Sequence, residues 1–172
     1  SKLVKASIET EINFNKLPLN DEKTLQLYKN ADTSGVFQVE SRGMRKILKD
    51  LNPENIEDII AVIALYRPGP LNLTETFIHN KLHPEDITYP HPDLEPILKK
   101  TYGICLYQEQ VMEIARKMAD FSLGEADILR KAMGKKKPEL MFEKRDEFIT
   151  RAIKKGYTKE VASNVFSVLE CF

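Results

Sequence analysis

The sequence predicts a mainly α protein: an irregular multi-helix domain with a proline-rich connecting stretch and at most one short strand or hairpin. Three observations predict it. Apolar residues recur at helical spacing almost throughout, cap and stop residues punctuate the runs, and Pro84, Pro90, Pro92 and Pro96 crowd one short stretch. With 172 residues, 42% hydrophobic and 30% charged, the chain is long enough to bury roughly 70% of its unfolded surface. Disordered, collagen-like and low-complexity classes are excluded.

Asn20-Asp21 opens a helix carrying Leu25, Leu27 and Tyr28. Met44, Ile47, Leu48 and Leu51 then share one helix face. Asn52-Pro53 reads as the next start, with Asn52 accepting from orphan amides and Pro53 at the first helical position. The stripe Ile56, Ile59, Ile60 and Ile63, with Val62 beside it, makes that helix a core element. It stops at Tyr66-Arg67-Pro68-Gly69-Pro70, since Pro68 disfavours helical backbone at Arg67. The prolines up to Pro96 allow only short helices, and Thr101 to Tyr107 alternates weakly enough for one short strand.

The second half is more regular. A helix is expected from Gln108 to Ala119, marked by Val111, Ile114, Ala115 and Met118. Ser122 and Glu125 fit a capping box for a helix ending near Met133, with Gly134 as its left-handed stop. Leu123, Ala126, Leu129 and Met133 face its core, while Asp127, Arg130, Lys131 and Gly134 fall on the opposite stripe. Pro138 opens a helix reaching Lys155 and stopped by Gly156, and Thr158 caps a last one with Val161, Val165, Phe166 and Leu169.

Charge is where a ligand first suggests itself. The whole chain is neutral, but residues 130–155 hold ten basic and four acidic residues, leaving +6 against −6 elsewhere. Arg130, Lys131, Lys135, Lys136 and Lys137 cluster at one helix end. Arginine offers a planar fork of donors to phosphate oxygens and lysine a mobile point charge, so this face suits a polyphosphate. The same cations also suit a solvated helix end, with Asp127 and Lys131 as an i,i+4 ion pair. Other constellations are thin. His79 and His83 sit four apart without a third ligand, and Glu125 and Asp127 diverge by about 200° on a helix. There is no Asp-x-Asp, P-loop or glycine-rich cradle. Cys105 and Cys171 belong to no CxxC pair, the first thirty residues lack a signal-peptide core, and no apolar run spans a membrane. The default is a thiol-bearing intracellular protein.

Four blocks carry a family resemblance: residues 35–44 (GVFQVESRGM), 65–71 (LYRPGPL), 102–112 (YGICLYQEQVM) and 121–138 (FSLGEADILRKAMGKKKP). In this order they resemble the fingers region of the bacterial DNA polymerase III alpha subunit, the C family of replicative DNA polymerases. The resemblance implies a fragment: residues 1–40 as palm-to-fingers junction and first fingers helix, and 41–172 as fingers, truncated at the C-terminal end. It implies substrate positioning for DNA-directed DNA synthesis, with the catalytic aspartates and Mg²⁺ in a palm outside this chain. No catalytic or metal-binding residue is expected here, and no polymerisation by the piece alone.

By the same resemblance Arg130 and Lys131 face the incoming deoxynucleoside triphosphate, and Lys135, Lys136 and Lys137 contact triphosphate or DNA backbone. The family commonly has Arg-Arg at the first pair; Lys131 keeps the charge and loses the bidentate fork. Arg67, Tyr107, Gln108, Glu109 and Gln110 match family motifs without an assigned contact. Implied partners are primer–template DNA, dNTP, the other alpha-subunit domains and, through the parent, sliding clamp and clamp loader, all in the cytoplasm. Two other readings stay open: a free-standing helical nucleic-acid-binding module without a nucleotide site, and a purely structural or partner-binding helical domain.

Overall fold

The computed structural model describes residues 13–135 and 138–170, and divides the chain into two compact units, residues 1–59 and 60–172. Nine α-helices occur among the described residues, joined by 3₁₀ turns and no strand.

In the first unit α1 (Glu22–Lys29) begins where Asp21 accepts the Thr24 amide at 2.8 Å. Helix α2 (Arg42–Leu51) is capped by Ser41 and buries Met44, Ile47, Leu48 and Leu51, the expected face. Between them the chain is fixed by side-chain bonds: Thr33 Oγ1 donates to the Val39 carbonyl, and the Gly35 amide donates to Glu40.

The start of α3 (Ile56–Leu65) differs from expectation. Asn52 is the left-handed C-cap of α2, and Asn55 instead accepts the Asp58 amide at 3.0 Å. Asp58, itself buried, accepts from Glu54 at 2.8 Å. An asparagine tolerates left-handed backbone and serves either end of a helix; the pattern Asn52-Pro53-Glu54-Asn55 offered both choices. The isoleucine stripe is buried only in part. Ile59 is buried with Asp58, Ala61, Val62, Ala64 and Leu65, Ile56 and Ile63 are half-buried, and Ile60, about 200° round from Asp58, is 42% exposed.

In the second unit the chain leaves α3 through Gly69 (φ 104°) and a 3₁₀ turn, Pro70–Leu73, into α4 (Thr74–Leu82). The proline-rich stretch forms the 3₁₀ turns Pro84–Asp86 and Pro92–Leu94 and a single turn of helix, α5 (Glu95–Leu98). The expected strand at 101–107 does not form. Tyr102 (φ 52°) and Gly103 (φ 86°) are both left-handed, which turns the chain out of any ladder. A Cβ at Gly103 would lie 2.9 Å from the Thr88 carbonyl oxygen, so the turn needs glycine.

The backbone that a strand would have paired is satisfied by Gln110. Its Oε1 accepts from the amides of Leu106 (2.8 Å) and Tyr107 (2.9 Å). Its Nε2 donates to the Ile97 carbonyl (3.1 Å) and to Thr101 Oγ1 (2.7 Å), which in turn donates to the Leu98 carbonyl. All four valences of one buried amide are used.

Helices α6 (Gln108–Ala119), α7 (Leu123–Lys135), α8 (Pro138–Lys154) and α9 (Lys159–Glu170) pack around Phe148. Its ring lies 6.3 Å from Phe121 and 5.5 Å from Phe166. The Ser122–Glu125 capping box is present in both directions, at 3.3 and 2.7 Å. Glu125 also receives both terminal nitrogens of Arg151, which ties α7 to α8, and the Arg151 guanidinium sits 4.7 Å from the Phe121 ring centroid. Gly156 (φ 103°) stops α8 and Thr158 caps α9, as expected. Tyr157 donates to Asp93 at 2.5 Å, pinning the α8–α9 turn to the proline-rich stretch. Burial and the neighbouring Asp93 push the Tyr157 phenol up to about 12.

Two stability outcomes follow from these bonds. Gln110→Leu, which strands the buried Leu106 amide and the half-buried Tyr107 amide, should cost about 2–3 kcal/mol in urea denaturation, while the exposed neighbour change Glu109→Ala stays within about 0.5 kcal/mol. The Arg151 contact and the Ser122 amide hold Glu125 down to about 2, from the usual 4.5. A carboxylate lowered on folding stabilises above its unfolded value and loses that contribution as pH falls toward its folded value. Denaturation midpoints should therefore drop between about pH 4.5 and 2, and Glu125→Gln should flatten that slope.

Candidate nucleotide-phosphate site

Helix α7 sets the geometry of the candidate site. Its buried residues Ala126, Leu129, Ala132 and Met133 centre on Leu129. Arg130, 100° round the helix, falls at the edge of that arc, and Lys131, 200° round, falls opposite. Their side chains are accordingly 24% and 57% exposed. Leu123 was expected in the core but is 62% exposed, because it lies about 120° from Leu129. Gly134 is not the expected left-handed stop: it is helical, and α7 continues to Lys135.

Asp127 joins the two cations. Its Oδ1 accepts from Arg130 Nε (3.0 Å) and Nη2 (2.7 Å), and its Oδ2 lies 2.6 Å from Lys131 Nζ. Lys131 first, and Arg130 with it, lower the Asp127 carboxyl below the usual carboxylate range. The third nitrogen, Arg130 Nη1, donates to Gln108 Oε1 at 2.7 Å. Two blocks 22 residues apart thus meet at one guanidinium. The trio of Asp127, Arg130 and Lys131 carries +1. Among the described residues Arg130 uses three of its five N–H donors, which leaves two for a ligand.

The other expected residues scatter. Of Lys135 only its place at the last position of α7 is described, and Lys136 and Lys137 lie outside the described residues. Arg67 is exposed after α3, with no side-chain partner among the described residues. Tyr107 is half-buried, Glu109 exposed, and Gln110 is the buried tie already described.

The +6 segment is not a free cationic ridge. Lys144 pairs with Glu147 at 2.7 Å, Arg145 with Glu170 at 4.0 Å, and Arg151 with Glu125 and Glu147. Lys155 pairs with Asp120 and donates to the Lys117 carbonyl. Counting formal charges along the chain missed these partners because Asp120, Glu125 and Glu170 lie outside the segment in sequence.

His79 and His83 stack on each other, 4.8 Å between centroids, and His79 bonds Asp86 at 2.8 Å. Among the described residues no three His, Cys, Asp or Glu side chains are placed to hold a metal ion. Cys105 is buried, which pushes its thiol up to about 12. No helix among the described residues is long and apolar enough to cross a membrane.

The contact that sequence reasoning missed is Gln108 with Arg130. No periodicity links positions 22 apart, and only the motif match singled out Gln108. The Asp127 pairing was visible, since i,i+3 and i,i+4 spacing places it under both cations.

The chain is similar to known proteins. The family profile described as the bacterial DNA polymerase III alpha subunit finger domain matches residues 1–156. The chain is 49% identical over 171 residues to the DNA polymerase III subunit alpha of Halalkalibacterium halodurans, covering 99% of this chain and 15% of that protein. It is 48% identical over 173 residues to the subunit alpha of Aquifex aeolicus, with the same coverage, and 49% over 166 residues to that of Borreliella burgdorferi, covering 96% and 14%. The chain thus spans about one seventh of these relatives' length. With this profile matched over most of its length, and with the α7 cations set among the matched residues, the chain belongs to the finger-domain family of the bacterial DNA polymerase III alpha subunit.

Proposed function

We propose that this chain is the fingers segment of a replicative, DNA-directed DNA polymerase, and that it receives the phosphates of the incoming deoxynucleoside triphosphate on Arg130 and Lys131. The observation that supports this is the half-buried Arg130 guanidinium. It is held on two sides and keeps two donors free, beside the exposed Lys131.

Phosphoryl transfer asks the protein for position and charge rather than covalent steps. A guanidinium already fixed in the absence of ligand loses little freedom when it meets a phosphate oxygen, and a half-buried one is less screened than a surface lysine. Lys131 adds a mobile charge at the same edge. Contacts from Lys135, Lys136 and Lys137 to triphosphate or DNA backbone are part of the same proposal. Residues 1–40 form the junction with the palm and the first fingers helix, and 41–172 the rest of the fingers. Mg²⁺ and its acidic ligands belong to the palm outside this chain, so the chain alone does not polymerise. Primer–template DNA, the other alpha-subunit domains, the sliding clamp and the clamp loader are its partners through the parent, in the cytoplasm.

In the full-length alpha subunit carrying this chain, Arg130→Ala should raise KM for dNTP roughly ten- to a hundredfold, as expected for losing charge-assisted bonds. The primer–template Kd should stay within about twofold, because phosphate contacts to DNA are many and each is a small share. Single-nucleotide incorporation kinetics and DNA-binding titrations read the two. Unchanged incorporation kinetics would remove the assignment. Equal losses in dNTP use and DNA affinity, steepening with salt, would favour a nucleic-acid-binding module instead.

A further inference from the structure

We infer that Gln108 is a positioning residue for Arg130: its side-chain carbonyl fixes the plane of the guanidinium so that the remaining N–H donors face a triphosphate. The inference rests on the reading of Arg130 given above and adds a residue to it.

Gln108 has no structural employment that accounts for its side chain. It is the first residue of α6 and exposed, and the backbone at that helix start is served by Gln110, which accepts from Leu106 and Tyr107. The one side-chain hydrogen bond of Gln108 among the described residues is the 2.7 Å bond from Arg130 Nη1.

That bond supplies what Asp127 cannot. Asp127 meets the guanidinium through a single oxygen, Oδ1, which takes both Nε and Nη2. One oxygen shared by two donors is a pivot, about which the planar group can rock. Asp127 also rides on the same helix as Arg130 and so sets no reference outside α7. Gln108 stands on α6, whose start is anchored by the four bonds of Gln110. A second acceptor on a second helix removes the pivot.

The acceptor is also neutral. Asp127 already offsets one of the two positive charges, so a carboxylate at 108 would leave the trio with no net attraction for phosphate. An amide orients the guanidinium and leaves its charge available.

The test is a double-mutant cycle in the full-length alpha subunit carrying this chain, with Gln108→Met and, as a second removal of the acceptor, Gln108→Ala. Each is placed in the wild type and in Arg130→Ala, and KM and kcat for dNTP are measured alongside the melting temperature. Each Gln108 change alone should raise KM for dNTP roughly three- to tenfold with kcat within about twofold and an unchanged melting temperature. In the Arg130→Ala background the same change should add nothing, because its effect passes through the guanidinium. A full, additive effect in that background, or no effect alone, overturns the role of Gln108 while leaving Arg130 in place. An Arg130→Ala enzyme with unchanged KM overturns both.

Discussion

The amide of Gln110 is the constraint on which the candidate site depends. Between the 3₁₀ turn Lys99–Thr101 and Gln108 the chain has no helix or strand, and without it the amides of Leu106 and Tyr107 and the Ile97 carbonyl would lose a partner inside the second unit. By taking two amides and giving to a carbonyl and a hydroxyl, one side chain converts an irregular loop into a fixed support for the start of α6. Gln108 begins that helix, and Arg130 leans on Gln108. A buried polar group of this kind contributes little net energy when satisfied and costs several times more when broken, so it acts chiefly as a specifier of geometry.

Charge in this fold is spent mostly on tying helices together. Arg151 joins α8 to Glu125 at the start of α7 while also meeting Glu147 on its own helix, and Lys155 reaches the end of α6. Arg130 differs in kind. Its partners are one carboxylate already shared with Lys131 and one neutral amide, so the local balance stays positive. What separates a candidate ligand group from a structural cation here is therefore the identity of the acceptors around it rather than the density of lysines along the sequence.

Local signals were legible in the sequence where a single stretch decides the outcome. The Ser122–Glu125 box, the Thr158 cap, the Gly156 stop and the buried face of α2 all depend on neighbours within about four positions. Errors arose where one residue type serves two ends of a helix, as with Asn52, or where tertiary packing chooses the buried arc, as with Ile60 and Leu123. Gly134 shows the same limit: glycine permits a left-handed stop, but helical backbone is equally open to it, and α7 continues. At the site, Asp127 under Arg130 and Lys131 was readable from spacing. The Gln108 contact was not, because it is made by the packing of α6 against α7.

The bond between Tyr157 and Asp93 closes 64 residues of chain. A closure that long carries a loop entropy that the docking of the intervening helices helps to offset. The proline-rich stretch, though it looks like a linker on paper, is therefore tied to the turn before the last helix. The second unit should consequently gain and lose its order as one cooperative block rather than by peeling from its end.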